Sequence, residues 1–388
     1  MDLTLLTPTR ILAGGGAVRR LPEVLKHLGC LRPLVVTDHF LSRSPLLGRL
    51  TAPLDAAGIR HSLYPDCISD PTTEEVRTGV EVMGAGDFDC LIAFGGGSPM
   101  DTAKAMNILY AGGGEMRDWK VPKSADLPVL PLVCVPTTAG TGAEVTKFCV
   151  ITDAEGEVHE KMLIMGAACL PDAAIIDYEL TLDLPARITA DTGIDAITHA
   201  LEAYVSVKAN PYSDAMALAA LGQLFPNIRT AVREPHNAAA REAMMLGATL
   251  AGLAFSNASV ALVHGMSRPI GAFFHVPHGL SNAMLLPAVT AFSAEAAPVR
   301  YAAAARAMGC AGSGDDDAAA ITCLIDGLAA LNADLEVPTP RVWGIEETRF
   351  LGLVETMAAQ ALASGSPANN PKVPTAEEIA ALYRRCFG

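Results

Sequence analysis

The chain changes in character near residue 183. Before that point, short apolar runs that end near Gly, Thr or Asp alternate with segments of helical composition. The clearest runs are 33–38 (PLVVTD), 89–98 (DCLIAFGGGS) and 129–138 (VLPLVCVPTT). Strands that alternate with helices predict a doubly wound α/β domain over residues 1–183. The remainder, rich in Ala, Leu and Met and broken by Pro, predicts an all-α domain over residues 184–388.

The charge balance excludes one large class of function. The chain carries 28 Lys and Arg against 42 Asp and Glu, a net charge of −14. A nucleic-acid-binding protein needs a basic surface, so we expect no nucleic-acid partner. The apolar content of 51% is enough for two sizeable cores. The nine cysteines form no CxxC or CxxxC pair, which favours free thiols in a reducing compartment.

One segment raises the question of a membrane span. Residues 243–267 contain no Lys, Arg, Asp or Glu, and a stretch of this length can cross a bilayer. It also contains Gly, Thr, Ser, Asn and His, and the sequence has no second stretch of this kind. We therefore expect a helix buried in a large soluble domain and no membrane partner. The N-terminal residues resemble no secretory signal, so the predicted location is the cytoplasm.

Two glycine-rich segments are candidates for phosphate binding. Residues 13–19 (AGGGAVR) lack the third glycine of a G-x-G-x-x-G pattern, so a Gly-rich turn before a helix is the better interpretation. Residues 95–98 (GGGS) are the stronger candidate, because they join an apolar run to a helical segment that starts with Pro99. Residues without Cβ at such a junction let backbone N–H groups approach a pyrophosphate.

Two further loops follow buried runs. Asp38 ends the run PLVVTD, where a carboxylate can bind ribose hydroxyls and repel a 2′-phosphate, which favours NAD over NADP. The alternative is that Asp38 only caps the next helix, and the spacing does not decide between them. Residues 136–146 (PTTAGTGAEVT) supply hydroxyls and N–H groups where ligands of open α/β sheets bind.

Carboxylate and imidazole side chains cluster in the second half. Asp195 and His199 lie four residues apart and share one face if this segment is helical. By itself such a pair is more often a solvated Asp–His pair than a metal site. However, His264, His275 and His278, three of the nine histidines, follow within sixteen residues of one another after the charge-poor segment. Buried histidines need partners, so the set favours Fe²⁺ or Zn²⁺ with one position open for substrate.

Taken together, these segments resemble the iron-containing (group III) alcohol dehydrogenase family along essentially the whole chain. The matching segments are 95–104 (GGGSPMDTAK), 136–146, 161–185, 192–206 (TGIDAITHALEAYVS) and 264–283 (HGMSRPIGAFFHVPHGLSNA). The resemblance implies a dehydroquinate synthase-like architecture, with an NAD-binding α/β domain and a helical domain for metal and substrate. It further implies an active site in the cleft between the domains, and a homo-oligomer of two or more chains.

The resemblance also implies individual site residues and cofactors. Carried over position by position, the metal ligands are Asp195, His199, His264 and His278. The implied cofactor-binding residues are Asp38, Gly96, Gly97, Ser98, Thr137, Thr138, Thr146 and Lys161. The cofactors are NAD and one divalent metal, with Fe²⁺ preferred to Zn²⁺.

Three positions depart from the family's pattern. Ala143 replaces a serine in the usual GTGSEVT and removes at most one hydrogen bond. Arg268 stands where many relatives have a histidine to which a proton relay is assigned, and an arginine keeps its proton. Arg268 either pairs with an anionic group of the substrate or is satisfied by a neighbouring acidic residue or the NAD pyrophosphate. His275, present in part of the family, either takes over the relay or lines the pocket.

The predicted function is reversible, metal-dependent hydride transfer between NAD(H) and a small primary alcohol/aldehyde pair. An alternative uses Arg268 to bind a carboxylate, phosphonate or sulfonate, which gives a reductase of an anionic aldehyde or keto acid similar to maleylacetate reductase. Two other classes are a dehydroquinate synthase-like lyase and a non-catalytic NAD-binding assembly protein. The lyase needs a group of basic residues that is not found around the histidines, and a complete ligand set argues against the assembly protein.

Overall fold

The computed structural model describes residues 3–154 and 160–388. The chain divides into two compact units, Met1–Leu182 and Asp183–Gly388. The first unit contains a six-stranded parallel sheet with helices, and the second, described in full, contains helices and no strand. The predicted fold class, a doubly wound α/β domain followed by an all-α domain, is confirmed.

The strands of the first unit form one large sheet and one antiparallel pair. In chain order they are β1 (Arg10–Ala13), β2 (Pro33–Asp38), β3 (Ser62–Cys67), β4 (Cys90–Gly95), β5 (Leu132–Pro136), β6 (Phe148–Asp153), β7 (Glu160–Met165) and β8 (Ala173–Ile176). The large sheet has the order β1-β8-β5-β4-β2-β3 with all neighbours parallel, and β6 pairs with β7. The three predicted runs are β2, β4 and β5.

Helices cover both faces of the large sheet. They are α1 (Leu21–Leu28), α2 (His39–Ser42), α3 (Pro45–Ala56), α4 (Thr73–Ala85) and α5 (Gly97–Gly112). Along β2, Leu34 and Val36 enter the core shared with α4 and α5, whereas Val35 enters the core shared with α1 and α3. A strand buried on both faces is apolar throughout, which is why a continuous apolar run predicted it.

The order of the strands places a switch point between β2 and β4. The chain passes from β2 outward to β3 and then returns to the other side of β2 as β4. In open α/β sheets, ligands bind at the carboxyl ends of the two strands that flank such a point. Asp38 is the last residue of β2 and Gly95 the last of β4. Asp38 and the glycine-rich residues 95–98 therefore stand at the position where this topology favours a ligand.

The other glycine-rich segment is a turn before a helix, as interpreted from the sequence. Gly16 has a left-handed φ of 73° and starts a short 3-10 turn, Ala17–Arg20, that leads into α1. The side chain of Asp177 accepts hydrogen bonds from the backbone N–H groups of Gly16 and Val18 at 3.0 and 3.1 Å. A carboxylate from the chain itself thus occupies these donors.

Ten helices build the second unit. They are α6 (Ala186–Val205), α7 (Pro211–Arg233), α8 (Ala238–Ala258), α9 (Leu262–Phe274), α10 (His278–Ser293), α11 (Pro298–Ala307), α12 (Asp317–Asp334), α13 (Pro340–Trp343), α14 (Glu347–Ala363) and α15 (Ala376–Cys386). Ala, Leu and Met are strong helix formers, in agreement with the change in composition that predicted this unit.

The charge-poor segment is two helices, so the prediction of one continuous helix is wrong. α8 and α9 meet at an angle of 103°. Ser259 ends α8 with a left-handed φ of 68°, which cannot continue a right-handed helix. The side chain of Asn369 donates hydrogen bonds to Ser259 Oγ and the Val260 carbonyl and holds the bend. Among the described residues, no single helix meets the length and hydropathy expected of a membrane span, although this bent pair does when both helices are counted together.

Candidate metal and cofactor sites

The four predicted metal ligands come together from three helices of the second unit. Asp195 and His199 lie on α6, His264 lies in the first turn of α9, and His278 is the first residue of α10. One ligand atom from each residue can be chosen so that all four atoms lie within 4.8 Å of one another. Asp195, His199 and His264 are buried, whereas the side chain of His278 is 49% exposed. The cluster is therefore open on the side of His278.

Asp195 lies at the centre of the cluster. Its Oδ1 is 3.6 Å from His264 Nε2 and 3.7 Å from His278 Nε2, and its Oδ2 is 3.9 Å from His199 Nδ1. These distances exceed those of hydrogen bonds. Ligand atoms that share one ion at about 2.1 Å stand roughly 3.0–3.5 Å apart, so the observed spacing is close to that of a metal-ligand set.

The electrostatics of the cluster favour a positive charge. Burial alone would raise the pKa of Asp195, but the imidazoles of His199, His278 and His264 hold it well below its usual range. Burial would lower the pKa of His264, but the carboxylates of Glu202 and Asp195 raise it to about 9. A divalent cation bound by ionised carboxylate and neutral imidazoles supplies the same positive charge in place of protons.

Glu202 is a second partner of His264 that the sequence analysis did not single out. Its Oε2 lies 2.6 Å from His264 Nδ1 and accepts a hydrogen bond from the Ala261 N–H at 2.9 Å. Its Oε1 accepts from the Val263 N–H, so the carboxylate also stabilises the start of α9. Because an ionised carboxylate only accepts hydrogen bonds, Nδ1 of His264 carries the proton and Nε2 presents a lone pair to the cluster.

Glu202→Gln is expected to weaken binding of Fe²⁺ or Zn²⁺ about 10- to 100-fold, because the amide no longer holds the imidazole in one tautomer. Competition with a chromogenic chelator measures this affinity without any catalytic assay. Glu242→Gln removes an exposed carboxylate on α8 and serves as the control. Equal metal affinity in the two variants would contradict the role of Glu202.

The position of Asn282 supports a cation in the cluster. This buried residue lies one turn after His278 on α10, and its Nδ2 donates to Asp195 Oδ1 at 2.7 Å. The same nitrogen is 3.2 Å from His264 Nε2 and 3.3 Å from His278 Nε2. Its Oδ1 is buried without a hydrogen-bond partner among the described residues. The amide nitrogen thus lies at the point where a carboxylate oxygen and two imidazole nitrogens converge, and this mixed nitrogen and oxygen set fits Fe²⁺ or Zn²⁺.

A glycine determines how closely α10 approaches α6. A Cβ on Gly279 would lie 2.3 Å from the backbone oxygen of Asp191. Only glycine permits this approach, which places His278 beside Asp195. The sequence HG at 278–279 therefore combines a ligand with the close contact that positions it.

In the first unit, the predicted phosphate loop stands at the start of α5. Gly96 precedes this helix, and no side chain caps the first N–H groups of its 16 residues. A Cβ on Gly97 would lie 3.1 Å from Thr141 Cγ2, and a Cβ on Gly96 3.5 Å from Thr138 Oγ1. The two loops form a cradle that a side chain would fill, and uncapped N–H groups at a helix N-terminus suit a pyrophosphate. The residues present fit a dinucleotide.

Asp38 caps a helix, which was one of its two interpretations. Its Oδ1 accepts a hydrogen bond from the Leu41 N–H at 2.8 Å, at the start of α2. It makes no other hydrogen bond within the described residues, so its Oδ2 remains available for a ribose. Both roles are compatible with one carboxylate, and ribose binding stays a prediction.

The remaining predicted cofactor residues differ in their surroundings. Ser98 lies in the first turn of α5, and the Thr137 N–H donates to the Gly95 carbonyl at 2.9 Å. Thr146 is buried, and its hydroxyl accepts from Lys104 Nζ at 3.1 Å. Lys161 on β7 donates to Asp70 Oδ1 at 2.7 Å. Thr146 and Lys161 are thus engaged within the protein, and their roles toward the cofactor stay predictions.

The two predicted catalytic residues lie on α9 and at its end. Arg268 is four residues after His264 and therefore shares its helical face. His275 follows the last residue of α9 in a left-handed conformation with φ 54°, and its side chain is exposed. The structure records their positions, and both roles stay predictions.

A parallel-sheet unit with a phosphate cradle and a helical unit with one carboxylate and three imidazoles are the features of an enzyme that uses a dinucleotide and a divalent metal. Comparison with protein families agrees with this class. The model for the iron-containing alcohol dehydrogenases matches residues 8–178, and the model for the C-terminal part of the Fe-containing alcohol dehydrogenase family matches residues 189–387. The chain belongs to the iron-containing alcohol dehydrogenase family.

Individual relatives match over nearly the whole chain. The NAD-dependent methanol dehydrogenase of Bacillus methanolicus is 35% identical over 381 residues, which cover 98% of each chain. The crystal structure of a 1,3-propanediol oxidoreductase superposes with a TM-score of 0.94 at 34% identity and covers 100% of both chains. A sulfoacetaldehyde reductase from Bifidobacterium kashiwanohense in complex with NAD⁺ gives a TM-score of 0.89 at 26% identity and covers 100% of this chain and 99% of its own.

These matches confirm several predictions made from the sequence. The predicted family is confirmed, and the chain is an oxidoreductase of the alcohol dehydrogenase class. Iron and NAD are confirmed as the cofactors of this class. The relatives act on small molecules, as expected for the substrate.

Proposed function

We propose that this chain catalyses reversible hydride transfer between NAD(H) and a small primary alcohol/aldehyde pair. The main observation is the convergence of Asp195, His199, His264 and His278, with His278 exposed. The cluster is closed on the buried side and accessible on the other, as a catalytic metal site requires. The relatives named above are dehydrogenases and a reductase, which favours this function over the lyase and the assembly protein.

We assign the metal to these four side chains. A divalent ion held there acts as a Lewis acid that lowers the pKa of an alcohol and polarises a carbonyl. Asp195 supplies the negative charge that holds a cation, and Glu202 keeps His264 in the tautomer that presents Nε2. Asn282 donates to Asp195 and fixes the orientation of its carboxylate. The protein groups are thus positioned before substrate arrives.

We assign NAD to the first unit and the metal and substrate to the second, with the boundary at residues 183–184. The uncapped start of α5 and the glycines beside Thr138 and Thr141 would hold the pyrophosphate. The oxygen of Asp38 that does not cap α2 would accept from a ribose hydroxyl and disfavour NADP. A homo-oligomer in the cytoplasm, with no nucleic-acid or membrane partner, remains the prediction from the sequence.

The proton that accompanies hydride transfer needs an acceptor other than Arg268. A guanidinium keeps its proton at neutral pH and cannot relay it. His275 is the candidate, because its exposed imidazole can exchange a proton with solvent. Its alternative role is to line the pocket.

Turnover of short aldehydes by the metal-loaded protein tests the proposed function. We expect oxidation of NADH that depends on both the aldehyde and the metal, that stops on chelation, and that exceeds the rate with NADPH. NADH absorbance follows the reaction, and elemental analysis of the freshly purified protein identifies the metal. Absence of turnover with every aldehyde and alcohol in the presence of bound Fe²⁺ or Zn²⁺ would contradict the proposal.

A further inference from the structure

Arg268 differs from the other arginines of the second unit. Its side chain is only partly exposed, yet its guanidinium makes no hydrogen bond or ion pair with any described residue. Every other arginine of this unit that is not exposed donates at least one hydrogen bond. These residues are Arg187, Arg229, Arg241, Arg300 and Arg306. A partly buried cation without a protein partner is unusual in this unit, so its presence requires an explanation.

The neighbouring carboxylate does not neutralise this guanidinium by direct contact. Burial lowers the pKa of Arg268, and the negative charge of Glu202 acts in the opposite direction. However, the two oxygens of Glu202 accept hydrogen bonds from the N–H groups of Ala261 and Val263, and Oε2 pairs with His264 Nδ1. Glu202 is committed to α9 and to the metal cluster.

The charges of the occupied cluster also leave Arg268 uncompensated. Asp195 and Glu202 together balance a divalent ion when the imidazoles are neutral. Asp191, the next carboxylate along α6, is paired with Arg187. No further carboxylate of the second unit then balances the positive charge of Arg268 beside the cluster. An anion from outside the protein would neutralise this charge.

We propose that Arg268 binds the anionic end of the substrate, and that the substrate is a short aldehyde with a carboxylate or sulfonate a few bonds from its carbonyl. This inference rests on the proposed function, because it takes the carbonyl to be reduced at the cluster. Residues four apart on a helix have Cβ atoms roughly 5–6 Å apart, so a substrate of a few bonds suffices to contact both Arg268 and the cluster. The planar guanidinium matches both anions with two parallel hydrogen bonds.

The reaction balances without any further reactant. NADH transfers a hydride to the carbonyl carbon, a proton from solvent reaches the carbonyl oxygen, and the products are the alcohol and NAD⁺. The anionic group takes no part in the chemistry. Its bond to Arg268 holds the substrate with the carbonyl at the cluster, so the contact contributes to kcat/KM through positioning.

Two aldehydes of equal length test the proposal. In the wild-type enzyme, kcat/KM is expected to be at least about tenfold higher for 4-oxobutanoate than for butanal. Arg268→Gln should lower kcat/KM for 4-oxobutanoate about 30- to 100-fold and change that for butanal less than about threefold. Arg268→Lys keeps the charge and should recover part of the preference. Arg385→Gln removes an exposed arginine of α15 and should leave both values unchanged.

A binding measurement separates this inference from the proposed function. Succinamate and butanamide are unreactive counterparts of the two aldehydes, and calorimetry on the metal-loaded protein with NADH bound needs no turnover. We expect succinamate to bind the wild type more tightly than butanamide does and to lose about 30-fold or more in Arg268→Gln. Lack of all turnover with this binding pattern intact would contradict the proposed function alone.

Three outcomes would overturn the inference about Arg268. The first is an equal loss for both aldehydes in Arg268→Gln, which would indicate a structural role. The second is a rise in the Kd of NADH with no change in preference between the aldehydes, which would assign Arg268 to the pyrophosphate. The third is a wild-type enzyme that prefers butanal.

Discussion

His264→Ala is expected to lower kcat about 1,000-fold or more while the Kd of NADH stays within about twofold of the wild-type value. His264 is 3% exposed, and its two ring nitrogens face Asp195 and Glu202. Its removal deletes one metal ligand and leaves the buried carboxylate of Glu202 without its imidazole partner. The predicted NADH contacts belong to the first unit, so the loss of a side chain on α9 does not change them.

The measurement needs both the metal content and the affinity for the coenzyme. Elemental analysis gives the metal bound after reloading, quenching of intrinsic fluorescence gives the Kd of NADH, and steady-state rates give kcat. His236→Ala removes an exposed histidine of the same unit and should behave like the wild type. If His264→Ala matches His236→Ala in kcat, the assignment of the metal cluster is wrong.

The parallel strands were predictable because their burial is visible in the sequence. The run 33–38 coincides with β2 because a strand covered on both faces must be apolar at every position. The bend between α8 and α9 was not predictable in this way. It depends on the left-handed backbone of Ser259 and on hydrogen bonds from Asn369, which lies 110 residues further along the chain. Composition alone therefore predicted that residues 243–267 are buried, but it predicted one helix where the structure has two.

The metal cluster was predictable only in part from local spacing. Asp195 and His199, four residues apart, share a helical face, and Glu202 lies three residues further on the same face, so continuing the face would have found this residue. Asn282 likewise follows His278 by one helical turn. Neither residue type marks a metal site by itself. The convergence of α6, α9 and α10 is a tertiary contact. The grouping of the histidines suggested a metal site, but only the resemblance to the family chose His278 rather than His275 as the last ligand.

Lys104 shows a different limit of sequence analysis. It belongs to the segment GGGSPMDTAK, where a lysine after a glycine-rich turn is easily attributed to phosphate binding. In the structure its side chain is completely buried, and its Nζ donates to the carbonyls of Ala143, Thr146 and Phe148 at 2.6, 2.9 and 2.9 Å. These partners lie about forty residues away along the chain, beyond the range of any local pattern.

Lys104→Met is expected to lower the free energy of unfolding of the first unit by about 3–5 kcal/mol. Methionine has a similar length but no donor, so the buried carbonyls of Ala143 and Thr146 lose this hydrogen bond. The midpoint of urea denaturation measures the change. Trp119 reports on the first unit when the only other tryptophan is removed by Trp343→Phe, and Lys26→Met, at an exposed lysine of α1, is the control.

The same variant distinguishes a structural lysine from a phosphate-binding one. If Lys104 holds residues 143–148 against α5, the midpoint must fall in the absence of NADH, because the lost hydrogen bonds exist without the coenzyme. If Lys104 instead binds phosphate, the affinity for NADH must fall while the midpoint of the free protein matches that of Lys26→Met. The first result is expected, since the three N–H donors of Nζ already face four acceptors within the protein, which are the carbonyls of Ala143, Thr146 and Phe148 and the Thr146 hydroxyl. An unchanged midpoint would show that these bonds contribute little to the stability of the unit.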